Sequence, residues 1–152
     1  MPSKNDFPYP LADVSVVVIR DAEGRVLLDY NDNWGAFTLP MSKRHVLPPA
    51  TEHGQPLTET PEVAASRAAA EMVGRPLDPA TLTRVDAAID PYNQSGRDGQ
   101  WKRYTYTVFV LTLTDEPKPL PGHVAVWVTK SELKVLQPLS PTVARVLSAL
   151  PN

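Results

Sequence analysis

The sequence predicts an α/β fold in which a mixed β-sheet lies between helical layers. Three observations predict it. Val14-Ser15-Val16-Val17-Val18-Ile19-Arg20 is β-branched and almost continuously apolar, the pattern of a strand covered on both faces. The stretch from Glu59 to Gly74 is rich in alanine and carries apolar residues at helical spacing. A second helical stripe, Val143, Val146, Leu147 and Leu150, follows Ser140-Pro141.

Met1 to Pro10 is polar and proline-rich and reads as an N-terminal tail, leaving 11–152 as a single domain. After the first strand, Asp21-Ala22-Glu23-Gly24 is a turn and Arg25 to Asp29 a returning strand. Asn31-Asp32-Asn33 makes another turn before Trp34 to Leu39. Met41 to Thr58 shows no periodicity and holds Pro48-Pro49 and Gly54, so 41–58 reads as a long loop.

The central helix comes next. Thr60 can cap it and Pro61 suits its first turn, where a missing N–H costs nothing. Val63, Ala64, Ala65, Ala68, Ala69, Met72 and Val73 recur at helical spacing. Gly74 can take the left-handed stop position, and Pro76 ends any continuation.

Leu82 to Ile89 then reads as a strand, and Asp90 to Gln100 as a loop. Trp101 to Leu113 is a long strand, with Tyr104, Tyr106, Val108 and Val110 on one face and Phe109, Leu111 and Leu113 on the other. Asp115 to Gly122 is a proline-rich turn, and Val124 to Val128 a further strand. Ser131 can cap a short turn through Lys134, and Pro151 stops the last helix.

Composition narrows the function classes. At 152 residues the chain suits one domain, and 42% hydrophobic residues supply a core. The absence of cysteine excludes disulfides and thiolate metal sites and fits a reducing compartment. The start lacks the apolar run of a signal peptide, and no apolar stretch is long enough to span a bilayer. Together these point to a cytoplasmic protein. A net charge of −2 without blocks of like charge argues against duplex nucleic acid or membrane as the main partner.

The spacing around the central helix resembles the Nudix hydrolase signature, Gly-x5-Glu-x7-Arg-Glu-x-x-Glu-Glu-x-Gly. Glu59, Arg67, Glu71 and Gly74 fall on it. Ala68 and Met72 stand where the family has glutamates, and His53 where it has the leading glycine, with Gly54 one place late. Upstream, Gly35-Ala36-Phe37-Thr38-Leu39-Pro40-Met41-Ser42 is similar to the family's Gly-x-Trp-x-Leu-Pro-Gly-Gly corner, without its glycine pair. The resemblance covers roughly Val14 to Leu150 and implies a Nudix-like α/β/α sandwich.

What the resemblance implies chemically is altered by those departures. Nudix enzymes cleave a diphosphate linked to another group, using bound Mg²⁺ and water. Mg²⁺ needs hard oxygen ligands in near-octahedral array. Positions 68, 71 and 72 share one helical face. Here that face offers Glu71 as its single carboxylate, and the Met72 thioether is too soft for Mg²⁺. Glu71 is therefore the one catalytic and metal-ligand candidate, and Mg²⁺ or Mn²⁺ is a weak cofactor expectation. By the resemblance, Glu59 and Arg67 form a salt bridge that ties loop to helix, with Gly74 closing the box.

Other candidates lie outside the helix. Lys43 and Arg44, with His45, follow the Leu-Pro corner and can meet a phosphate. His45, Glu52 and His53 match no metal-ligand spacing. His123 precedes a strand, where many family members carry a catalytic acid, and Glu52, Glu59 and Glu62 are the nearest spare carboxylates. Trp34, Trp101, Tyr104 and Trp127 can stack a base, and core or rim packing accounts for them equally.

The leading expectation is a Nudix-like domain that binds a nucleotide-like or phosphorylated ligand, or a protein partner, with little classical hydrolysis. The alternative is a divalent-metal-dependent pyrophosphohydrolase of nucleoside-diphosphate-linked compounds.

Overall fold

The computed structural model describes residues 11–44, 46–47, 53–54, 57–89, 91–94 and 99–150. Its strands are β1 (Leu11–Arg20), β2 (Val26–Asn31), β3 (Ala36–Thr38), β4 (Met41–Lys43), β5 (Val46–Leu47), β6 (Leu57–Thr58), β7 (Thr83–Val85), β8 (Tyr92–Gln94), β9 (Trp101–Thr112) and β10 (Ala125–Val128). Its helices are α1 (Pro61–Val73), α2 (Lys130–Leu133) and α3 (Pro141–Ala149).

The main sheet runs β10-β2-β1-β9-β7, with β3 added to β2, β4 to β1 and β8 to β9. It is mixed. β1 and β9 pair in parallel from Leu11–Arg103 to Arg20–Thr112, while β2, β4, β7 and β8 join antiparallel. A central parallel pair must be covered on both sides, which explains the unbroken apolar run of β1.

The two-residue side-chain period sorts β1 into two cores. Val14, Val16 and Val18 pack with Val108, Val128, Val143 and Val146 on the α3 side. Val17 and Ile19 pack with Ala65, Ala69, Met72, Val73 and Phe109 on the α1 side. The two faces expected for the long strand are thus the two faces of the sheet, between α1 and α3. Ser15 points to the α1 side within this apolar strand, and its hydroxyl donates to the Pro61 carbonyl at 2.8 Å. That bond satisfies a fully buried polar group where α1 begins.

Several local expectations need correction. The 41–58 span contains strands: β4 pairs with β1 from Val14–Lys43 to Val16–Met41, and β5 pairs with β6. The expected strand over Leu82 to Ile89 contracts to Thr83–Val85. Within the expected loop, Tyr92–Gln94 pairs with the start of β9. These strands have two or three residues, too few to show a period, and β4, β7 and β8 form because a long neighbour offers a pairing edge.

The short helix α2 is capped by Thr129 rather than Ser131, in a reciprocal capping box with Glu132. Hydrogen bonds from the Thr129 backbone and hydroxyl hold the Glu132 carboxyl below its ordinary range. Among the described residues no helix is long and apolar enough to cross a membrane. The tail at 1–10 lies outside the described residues.

Candidate functional site

The site is organised by α1. Thr60 caps it by accepting from the Val63 N–H, and Gly74 ends it with φ 88°. Gly74 meets a second requirement. A Cβ there would fall 1.8 Å from the Lys118 carbonyl oxygen, so only glycine lets the 118–120 segment close over the helix end. That segment satisfies carbonyls the helix leaves open: Lys118 N–H donates to Val73 at 3.0 Å and Leu120 N–H to Glu71 at 2.9 Å.

At the other end, Arg67 forms an ion pair with Glu59, whose side chain is buried. The same guanidinium donates to the Ser42 hydroxyl at 2.7 Å and the Lys43 carbonyl at 3.0 Å. Arg44 donates from Nε to the Glu59 carbonyl at 2.6 Å and lies 3.8 Å from Asp13. One network therefore ties β4, the chain before α1 and the helix itself.

Lys43 and Arg44 were expected to act together on a ligand, and their geometry separates them. Lys43 pairs with Val14, so its side chain is on the α3 side of the sheet; Ser42 pairs with Ser15 on the α1 side, where Arg67 meets it. Arg44, beyond the strand, is engaged by Glu59 and Asp13.

The face of α1 at positions 68, 71 and 72 is mostly closed. Ala68 is 5% exposed and Met72 1% exposed, and Met72 belongs to the core beneath the helix. Glu71 remains accessible. Its Oε2 lies 3.3 Å from His123 Nε2, and His123 Nδ1 lies 2.7 Å from Asp29 Oδ2. Asp29 also accepts the Val124 N–H at 2.8 Å, so β2 and α1 both hold the chain around His123. Asp29 is a site residue that the sequence reading missed. Its signal was present: a lone carboxylate completing the apolar run Val26-Leu27-Leu28.

This donor set does not suit Mg²⁺. Ala68 supplies no ligand, Met72 a buried thioether, and Glu71 and Asp29 face opposite nitrogens of one imidazole. Among the described residues, no three histidine, aspartate or glutamate side chains converge as a metal site. The spare carboxylates lie elsewhere: Glu59 pairs with Arg67 and Glu62 with Arg84. His53 is exposed in a turn, and His45 and Glu52 lie outside the described residues. Beside Glu71, a cavity of about 500 Å³ opens between the outer side of α1 and Leu120.

The aromatic candidates divide as well. Trp127 receives Arg25 over its ring at 5.8 Å, Trp101 is exposed, and Tyr104 stacks on Tyr106.

No protein-family model and no curated protein sequence matches this chain. Solved structures do. A Nudix hydrolase from M. smegmatis, RenU, superposes with TM-score 0.55 at 23% identity, over 95% of this chain and 89% of RenU. A MutT Nudix hydrolase from Burkholderia pseudomallei gives 0.63 at 20% identity, over 93% and 98%. The chain has the Nudix fold. A further match, at TM-score 0.58 and 20% identity over 91% and 86%, is to a chain from the complex between the C-terminal domain of mouse MUTYH and human PCNA. Within this fold the Glu59–Arg67 pair joins the chain before α1 to the middle of the helix.

Proposed function

We propose that this protein is a Nudix-fold binding domain for a nucleotide-like or phosphorylated ligand, with little classical hydrolysis. One observation carries the reading. Of the three positions on the α1 face, Ala68 and Met72 are buried without a hard donor, and the Glu71 carboxylate lies 3.3 Å from His123 Nε2. The loop-helix framework around Glu59 and Arg67 is intact beside it. Binding needs that framework, whereas diphosphate cleavage through Mg²⁺ needs clustered carboxylates as well. A protein occupant is compatible with the same reading, since one similar chain comes from a protein–protein complex.

A second reading, a Mg²⁺- or Mn²⁺-dependent pyrophosphohydrolase, draws on the two carboxylates that flank His123, Asp29 and Glu71. One assay separates the two. The protein is incubated with nucleoside-diphosphate-linked compounds and Mg²⁺ or Mn²⁺, and product release is followed. The binding reading expects release at the protein-free rate. Release at about one turnover per second or faster, lost in Glu71→Gln, would overturn it.

A further inference from the structure

The cavity beside Glu71 has a composition that the reading above does not use. Its walls are largely apolar: Ala70 on the outer side of α1, Pro76 and Leu77 from the chain that follows, and Leu120 from across the gap. Leu120 is 47% exposed, and the hydrogen bond from its N–H to the Glu71 carbonyl fixes it beside the helix. At about 500 Å³ the space is of the size that takes a small organic molecule.

Three charged side chains also line the cavity, and their partners decide which charge it presents. Arg67 is taken up by Glu59, the Ser42 hydroxyl and the Lys43 carbonyl. Arg75 donates from both terminal nitrogens to Asp115, at 2.9 Å and 3.4 Å. Each guanidinium is thus matched by a carboxylate of its own. Glu71 differs. It faces His123 at 3.3 Å, and the other nitrogen of that ring lies 2.7 Å from Asp29. An imidazole carries at most one positive charge. With both carboxylates ionised, the trio therefore keeps at least one negative charge whichever form the ring takes. The Glu71 side chain is 44% exposed and brings that charge to the cavity wall.

Apolar walls with one well-placed polar group are the usual composition of a ligand site. Here that group is an anion. We propose that the cavity binds a small organic cation, a compact apolar body carrying a primary ammonium that donates to Glu71. Burial against the apolar walls holds the body, and the charge-assisted hydrogen bond orients it. The inference stands independently of the phosphorylated-ligand reading, because its ligand has the opposite charge and sits on the outer side of α1.

The probes are phenethylamine, its neutral counterpart phenethyl alcohol and the anion hydrocinnamate. Each is titrated into the full chain at neutral pH without divalent metal, and amide NMR shifts are followed at Ala70, Leu77 and Leu120. The amine should bind more tightly than the alcohol, and the anion more weakly than either, with the shifts concentrated at those amides. Glu71→Gln should weaken the amine by about three- to fivefold and leave the alcohol unchanged. Leu120→Ala trims the wall at a half-exposed position and should weaken amine and alcohol alike, by about threefold. Hydrocinnamate binding as tight as that of the amine would overturn the proposal, as would an amine affinity unchanged in either variant. So would the absence of shifts at these amides at about 10 mM amine. Neither diphosphate nor metal is present, so this result stands apart from the hydrolysis assay, and failure of one leaves the other readable.

Discussion

His123 bridges Glu71 on α1 and Asp29 on β2, with its ring nitrogens 3.3 Å and 2.7 Å from their carboxylate oxygens. The Leu120 N–H completes the attachment by donating to the Glu71 carbonyl. The 118–124 segment is therefore fastened to α1 and to β2 by side chains and backbone together.

Replacing the imidazole should loosen this segment. His123→Ala is expected to cost about 1–2 kcal/mol in a denaturant melt, the usual loss for removed hydrogen bonds. Amide exchange at Leu120 should speed up more than exchange in β1. Equal protection of Leu120 in parent and variant would show that the side-chain bridge holds nothing.

Arg67 should matter more, because Glu59 is only 7% exposed. Arg67→Met removes the guanidinium from a buried carboxylate and should destabilise by about 3 kcal/mol. Adding Glu59→Gln should recover part of that loss, since the charge that needed the partner is then gone. Strictly additive losses in the double variant would contradict the coupling.

Gly74→Ala should be costly for two reasons, its left-handed φ and the Lys118 carbonyl oxygen 1.8 Å from the new Cβ. The expected loss is about 3 kcal/mol. Gly35→Ala is the control: φ is 62° but nothing lies within 4 Å, so about 1 kcal/mol is expected there. Similar urea midpoints for the two variants would rule out the close approach at Gly74.

Restoring family-like glutamates on α1 tests how closed the face is. Ala68→Glu with Met72→Glu places carboxylates at positions 5% and 1% exposed. The double variant should lose about 4 kcal/mol or more, or fail to fold, and Mg²⁺ should not restore it. Met72→Leu keeps the volume and should cost less than about 1.5 kcal/mol. A folded double variant whose melting temperature rises with Mg²⁺ would show that the face opens to metal.

Much of the architecture was written locally. The unbroken apolar run of β1 announced a strand covered on both sides, and Thr60, Pro61 and Gly74 marked the ends of α1. Such signals survive in sequence because they arise from residues a few positions apart. The Glu59–Arg67 pair was implied by the resemblance to the Nudix signature, on which both residues fall, and the two do pair.

Tertiary structure decided the rest. His123 meets Asp29 across 94 positions, a contact set by where β2 and the chain before β10 come together. The burial of Ala68 and Met72 depends on how α1 settles on the sheet, because an alanine or a methionine fits a core or a surface. Lys43 and Arg44 are neighbours in sequence, but the register of β4 against β1 puts Lys43 on the α3 side, while Glu59 and Asp13 hold Arg44. A register shift of one residue would have turned Lys43 to the other face. No local window of sequence contains that register, and it determines which face of the sheet Lys43 occupies.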